Sequence, residues 1–143
     1  MARYRTTVHS RYDVDQAFAY LADFSRCVEW DPGVVEARRL TEEPIGLGTR
    51  FGLVASFLGR RVPLDYEVTA YEPDRRVTLT AENGLIQSVD EITFTATADG
   101  SDVTYDAQLR GRGAFRVVDP LLGLAFGRIG DRARDGLIRE LNR

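Results

Sequence analysis

The sequence contains few of the residues on which metal binding and nucleophilic catalysis usually depend. Its 143 residues include one cysteine, Cys27, and one histidine, His9, and all 19 basic residues are arginine. A single cysteine excludes an intrachain disulfide framework and favours a reducing compartment. Without lysine there is no Schiff-base nucleophile and no lysine-containing phosphate loop. We therefore expect neither a metal site nor a cofactor.

Long apolar runs and a strong net charge are missing as well. No stretch approaches the roughly 18 apolar residues of a membrane span, and the first residues lack the apolar core of a signal peptide. The formal charge of −3 gives no reason to expect nucleic acid or an anionic membrane as a partner. We expect a cytoplasmic protein without stable membrane insertion, folded as a single domain over residues 1–143.

Local patterns place one strand and two short helices at the start of the chain. Residues 3–10 alternate as a strand does, with Val8 inward and His9 outward. Asp13 and Gln16 resemble a capping box, which indicates a short helix directly after them. A second short helix should end before the turn signal at residues 31–33. Its inward side chains are predicted to be Phe24, Cys27 and Val28.

The middle of the chain has the alternation of an antiparallel meander. About six further strands are separated by turn residues, including hairpin signals at Asn83-Gly84 and Asp99-Gly100. Short connections make neighbouring strands antiparallel, and the alternation gives the sheet one solvated and one covered face. Tyr71 falls on the solvated side of this pattern. The covered face is predicted to carry Phe51, Leu53, Phe57, Leu64, Tyr66, Leu79, Ile92, Phe94, Tyr105 and Leu109.

The last predicted element is a long amphipathic helix over residues 119–142. Asp119 suits its cap and Pro120 its first helical position. Apolar residues at steps of three and four form a stripe toward the sheet: Leu122, Phe126, Ile129, Ala133, Leu137 and Leu141. The sequence therefore predicts an α+β fold with a curved antiparallel sheet of about seven strands, two short helices after the first strand, and this helix across the sheet.

The first half of this helix is apolar on nearly all sides. Leu121, Leu124 and Ala125 lie away from the stripe, so loops, a second subunit or an entering ligand must cover them. A homodimer through the Leu121/Leu124 region is one of these alternatives. We interpret this half of the helix as a gate and the second half as scaffold. Four glycines leave room either for another backbone or for a ligand: Gly123, Gly127, Gly130 and Gly136.

Asp90 is the strongest candidate for chemistry. It has the inward parity of its strand, with Ser88 two residues before it, and a carboxyl in an apolar pocket can act as a general acid or base. We favour a simpler interpretation, in which a bulge or the strand end places Asp90 in water or an arginine pairs with it. Tyr66 and Tyr105 either polarise a ligand carbonyl or serve as core residues. Three arginines form either a basic rim or ordinary surface charge: Arg110, Arg112 and Arg116.

Residues 22–32 read Ala-Asp-Phe-Ser-Arg-Cys-Val-Glu-Trp-Asp-Pro. This segment resembles the helix-helix corner of the SRPBCC superfamily, in particular of its bacterial polyketide cyclase/dehydrase-like branch. The approach to the third strand at residues 46–51, the turn at 71–74 and the strand at 90–94 resemble that superfamily as well, so the resemblance covers nearly the whole chain. It implies the helix-grip fold of START lipid-transfer domains and birch-pollen-allergen relatives.

The resemblance also implies an elongated hydrophobic cavity between the sheet and the C-terminal helix, holding a lipid-like, aromatic or polyketide-like molecule. The leading hypothesis is binding or transport of such a molecule without a prosthetic group. The alternatives are a cyclase or dehydratase that uses Asp90 and a cavity tyrosine, and an interaction module with a collapsed core. The expected ligand-binding residues are Trp30, Phe51, Leu53, Tyr66, Leu79, Ser88, Asp90, Ile92, Tyr105, Leu109, Leu122, Phe126 and Ile129.

Overall fold

The fold is a curved antiparallel sheet with a long helix laid against it. A computed structural model describes residues 1–57, 59–113, 116 and 119–143, the side chains of 119–122 excepted. The strand order in the sheet is β1-β7-β6-β5-β4-β3-β2, and the predicted α+β helix-grip architecture is confirmed. The elements are β1 (Ala2–Ser10), α1 (Val14–Ala22), a 3₁₀ helix (Phe24–Glu29), β2 (Val34–Arg39), β3 (Arg50–Phe57), β4 (Arg60–Glu72), β5 (Arg76–Glu82), β6 (Ile86–Thr97), β7 (Gly100–Gly111) and α2 (Asp119–Glu140).

One face of the sheet is buried, as the alternation predicts. Asn83 closes the β5–β6 hairpin, because its Oδ1 accepts the backbone N–H of Ile86 at 2.9 Å. Each large apolar side chain removed from water contributes about 1.5–3 kcal/mol to stability. The predicted inward residues that are buried are Phe51, Leu53, Leu64, Tyr66, Leu79, Ile92, Phe94, Tyr105 and Leu109, and Phe57 is half-buried.

The short helices fill one end of the covered face. The ring of Phe18 on α1 lies edge-on to Phe94 and to Tyr71, with centroids 5.1 Å and 5.3 Å away. The prediction that Tyr71 faces solvent is therefore wrong. Its strand has a register shift between Val68 and Ala70, and one extra residue reverses the alternation that follows it.

Two details of the short helices differ from the predictions. Asp13 precedes α1, but its side chain makes no capping hydrogen bond, so the predicted capping box is wrong. Asp23 instead caps the 3₁₀ helix by accepting a backbone N–H at 3.2 Å. Val28 is 40% exposed rather than inward, because three residues per turn align Phe24 with Cys27 and leave Val28 on another side.

The C-terminal half of α2 is packed closely onto the rest of the fold. Leu137 is buried there. A Cβ added at Gly136 would overlap the backbone carbonyl of Trp30, and one added at Gly130 would overlap the ring of Tyr4. These two glycines therefore allow close approach, and Gly130 also borders the open volume between the sheet and α2.

The N-terminal half of α2 is less covered. Leu124 is 76% exposed, and no described atom lies within 4 Å of a Cβ placed at Gly123 or Gly127. The predictions for Asp119, Pro120, Leu121 and Leu122 concern side chains outside the described part of the structure. None of the described helices combines the length and the apolarity that crossing a membrane requires.

Candidate functional site

A cavity of about 190 Å³ lies between the inner face of the sheet and α2. Apolar side chains from several strands and from α2 form most of its wall, among them Leu53, Leu64, Leu109 and Ile129. A buried water needs about 10–15 Å³, so this space far exceeds a few waters. The interaction-module hypothesis requires a collapsed core, whereas the structure has this cavity.

The apolar end of the cavity lies where two hairpins and the start of α2 converge. Antiparallel pairing brings the β3–β4 and β5–β6 hairpins to the same end of the sheet. Phe57, Leu85 and Phe126 line the cavity there, and Leu85 is 50% exposed. Because the Leu85 side chain is half-exposed, this end of the cavity borders solvent.

The other end of the cavity holds a network of three hydroxyl groups around one carboxyl. The Tyr105 hydroxyl donates to Asp90 Oδ2. Ser88 Oγ donates to Asp90 Oδ1 at 3.5 Å and lies 2.8 Å from the Tyr66 hydroxyl. Ser88 and Asp90 point the same way because they are two residues apart on β6, and β4 and β7 supply the two tyrosines. Three strands therefore supply the side chains of the polar end.

Burial controls the ionisation of this network. It raises the pKa of Asp90 to about 7, although the hydrogen bond from Tyr105 acts in the opposite direction. Burial also raises the pKa values of Tyr66 and Tyr105 well above that of an ordinary tyrosine, with the nearby Asp90 adding to the effect. Near neutral pH the carboxyl can therefore exchange a proton, whereas both phenols stay protonated.

A second carboxyl faces the same cavity. Asp31 follows the 3₁₀ helix, and its Oδ1 accepts the N–H of Gly33 at 2.9 Å. Although the residue as a whole is only half-buried, burial of its carboxyl raises the pKa to about 6, against the opposing hydrogen bond from Gly33. Asp31 also raises the pKa of Asp90 through charge repulsion.

The comparison with known families identifies this fold with a named group. The family described as polyketide cyclase / dehydrase and lipid transport matches residues 1–142. The chain belongs to this family. No curated protein matches the sequence.

Solved structures support the fold of this polyketide cyclase/dehydrase and lipid-transport family member. A START superfamily protein from Mycobacterium smegmatis aligns with a TM-score of 0.80 at 10% identity, over 99% of this chain and 97% of that one. The Zhui aromatase/cyclase from a Streptomyces species gives 0.79 at 13% identity, over 97% and 92%. A Thermus thermophilus protein gives 0.77 at 14% identity, over 98% and 95%. At these identities the likeness concerns the fold alone.

Most of the predicted ligand-binding residues line the cavity of this family member. The residues at the wall are Leu53, Tyr66, Ser88, Asp90, Tyr105, Leu109, Phe126 and Ile129. Trp30, Phe51, Leu79 and Ile92 do not reach it, because they belong to the packed core. Phe24 separates two of them from the cavity, since its ring lies against Trp30 and Phe51. The side chain of Leu122 is outside the described part.

The favoured interpretation of Asp90 is wrong. Its residue is only 7% exposed, and the pairing of β6 with β7 continues through it without a bulge. No arginine among the described residues forms an ion pair with it. Tyr105 and Ser88 are its partners instead, and the carboxyl lies inside the cavity.

Sequence reasoning missed the contribution of the 3₁₀ helix and the turn after it. Phe24, Cys27 and Asp31 all line the cavity. The sequence pattern indicates only an inward position for Cys27 and only a turn at Asp31. The signal that could have found them is their place in the corner segment at residues 22–32, which connects the two short helices to β2.

The remaining polar candidates lie outside the cavity. His9 Nδ1 is 2.9 Å from Asp102 Oδ1, and this hydrogen bond is the main cause of its raised pKa; the side chain faces solvent, as predicted. Arg112 lies 2.5 Å from Glu82 at the β5–β6 hairpin, and Arg110 contacts Met1. Within the described residues, no group of three His, Cys, Asp or Glu side chains could hold a metal ion.

Proposed function

We propose that this protein binds an apolar small molecule in the cavity between the sheet and α2. The observation that carries this proposal is a cavity of about 190 Å³ with an apolar wall and a few convergent polar groups at one end. This combination is typical of small-molecule sites. Membership of a family described by polyketide cyclisation and lipid transport supports the same conclusion.

The size of the cavity limits the part of the ligand that it encloses. An apolar cavity of about 150 Å³ holds one benzene molecule, so the present volume suits one aromatic ring with a short chain. A longer ligand would extend past Phe57, Leu85 and Phe126 into solvent. The polar atom of such a ligand belongs at the opposite end.

The test is to fill the cavity from within. Ala107 lies on β7 at the cavity wall, and Ala107→Leu should weaken binding of 2-phenylethanol at least tenfold, measured by NMR titration. Ala96→Leu is the matched control, because Ala96 is exposed on β6; it should bind as the parent does. Equal binding by Ala107→Leu and the parent, or no binding by the parent, would contradict the proposal.

A second candidate function is proton transfer on a carbonyl compound bound in the cavity. The observation that favours it is Asp90, whose pKa of about 7 suits an acid or base at neutral pH. The probe is 1-phenyl-1,3-butanedione, whose deuterium exchange at the carbon between its carbonyls can be followed by NMR. The parent should accelerate the exchange and Asp90→Asn should not, while binding of 2-phenylethanol by the variant remains detectable. No acceleration by the parent would leave binding as the function.

A further inference from the structure

We propose that the polar end of the cavity binds a protonated amine, so that the ligand is an apolar amine. The inference deepens the proposed function and rests on it. Three observations support it: the direction of the hydrogen bonds, the absence of a counter-charge among the described residues, and the aromatic rings around the two carboxyls.

Two of the hydroxyl groups at the polar end donate to Asp90. Tyr105 donates to Oδ2 and Ser88 donates to Oδ1. The Ser88 hydroxyl also lies 2.8 Å from the Tyr66 hydroxyl, and either oxygen can be the donor in that contact. The Tyr105 proton is therefore committed to Asp90, and the ionised carboxylate offers its remaining acceptor positions to a ligand.

Asp90 still has room for that donor. A carboxylate accepts about four hydrogen bonds, and among the described residues Tyr105 and Ser88 supply two to this one. The bond from Ser88 is long at 3.5 Å, so Oδ1 is weakly satisfied. The side chain is more than nine-tenths buried and borders the cavity. An ammonium group, which carries three protons, fits an acceptor in that position.

Among the described residues, neither Asp31 nor Asp90 takes part in an ion pair. The titratable groups besides Asp31 that share an electrostatic interaction with Asp90 are Cys27, Tyr66 and Tyr105, none of which is a cation. The arginine at the cavity wall, Arg134, has its guanidinium 3.3–3.4 Å from Asp131 and Asp135 on its own helix. A buried carboxylate without a counter-charge is unfavourable, and a cationic ligand supplies that charge.

Aromatic rings complete the surroundings of a cation. Phe24, Tyr66 and Tyr105 border the cavity beside the carboxyls, and the rings of Phe24 and Tyr66 are 5.2 Å apart between centroids. Ring faces attract ammonium groups, most strongly where water is excluded. Near pH 8 a ligand carboxylate would instead face two other carboxylates. The same site therefore selects an amine over an alcohol and an alcohol over an acid.

The experiment compares three probes of one shape: 2-phenylethylamine, 2-phenylethanol and phenylacetate. Near pH 8 we expect the parent to bind the amine at least about tenfold more tightly than the alcohol, and phenylacetate most weakly. Asp90→Asn should bring the amine-to-alcohol affinity ratio close to one. Asp65→Asn removes an exposed acid from the outer face of β4 and should retain the ratio of the parent.

A measurement on the parent alone repeats the test without a variant. Lowering the pH from about 8 to about 5 protonates Asp90 and should reduce the amine-to-alcohol ratio several-fold, although the amine stays charged. High salt should leave the ratio intact, because a buried pair is poorly screened. A ratio near one at pH 8, with the alcohol bound, overturns this inference and leaves the proposed function standing. Binding of none of the three probes overturns both.

Discussion

Replacing Asp90 by asparagine should make the stability of the protein less sensitive to rising pH. Burial raises the pKa of Asp90 to about 7, against about 3.9 for an aspartate in an unfolded chain. Between these two values the native state retains a proton that the unfolded state has released. The free energy of unfolding therefore falls as the pH rises through this window and levels off above the folded-state pKa. Asparagine does not titrate, so the free energy of unfolding of the variant lacks this decrease with rising pH.

The magnitude follows from the two pKa values. From near pH 5 to near pH 8, ionisation of one such carboxyl lowers the free energy of unfolding by about 3 kcal/mol. Burial also raises the pKa of Asp31, to about 6, and this acts with the same sign but remains in the variant. Asparagine suits the site, because its oxygen can accept from Tyr105 and its amide can donate to Ser88.

The assay is urea denaturation of the parent and of Asp90→Asn near pH 5 and near pH 8. The stability of the variant relative to the parent should rise by about 3 kcal/mol between the two pH values. Asp65→Asn is the matched control, because the Asp65 side chain is 64% exposed; its stability should follow the parent. If the free energy of unfolding of Asp90→Asn changed between the two pH values by as much as that of the parent, this would refute the conclusion that an ionisable carboxyl is buried at this position.

Three further predictions concern α2 and the cavity wall. Gly136→Ala should lower the free energy of unfolding by about 3 kcal/mol, because its methyl overlaps the Trp30 carbonyl, whereas Gly127→Ala should raise it by about 1 kcal/mol; equal effects in chemical denaturation would contradict the close approach. Leu124→Ser should change stability by less than about 0.5 kcal/mol yet alter the rate of ligand uptake or self-association, and a large loss of stability would count against a gate. Burial raises the pKa of Cys27, so a disulfide reagent should modify it slowly in the native protein and rapidly in urea; fast native modification would show that this wall opens.

The sheet and its covered face could be predicted because alternation is a local property. The parity of a strand residue depends on neighbours two positions away. Asn83 closes its hairpin locally, because its side chain accepts the N–H groups of Leu85 and Ile86. The same logic failed at Tyr71. The shift between Val68 and Ala70 is a matter of pairing with β5, and the sequence of β4 alone does not contain it.

The site was harder to predict, because it depends on contacts between distant segments. The inward parity of Asp90 is visible in the sequence, but the choice between water, an arginine and a hydroxyl depends on Tyr66 and Tyr105 from other strands. Likewise, a tryptophan at position 30 could line a cavity. In the structure, the ring of Phe24 packs against Trp30 and lies between it and the cavity. Asp31 gave no functional signal, since a turn sequence does not show where its carboxyl points.

The packing of α2 against the rest of the fold is uneven. Gly136 and Gly130 bring the C-terminal half of the helix against Trp30 and Tyr4, whereas the side chains nearer the N-terminus, such as Phe126, are only half-buried. The helix borders the cavity from Phe126 to Leu137, and Asp90 lies at the polar end of that cavity. Selection for stability alone would place an apolar residue at this position, because a buried carboxyl without a counter-charge is destabilising at neutral pH. A destabilising acid beside open volume is the arrangement expected of a binding site, and not of a core.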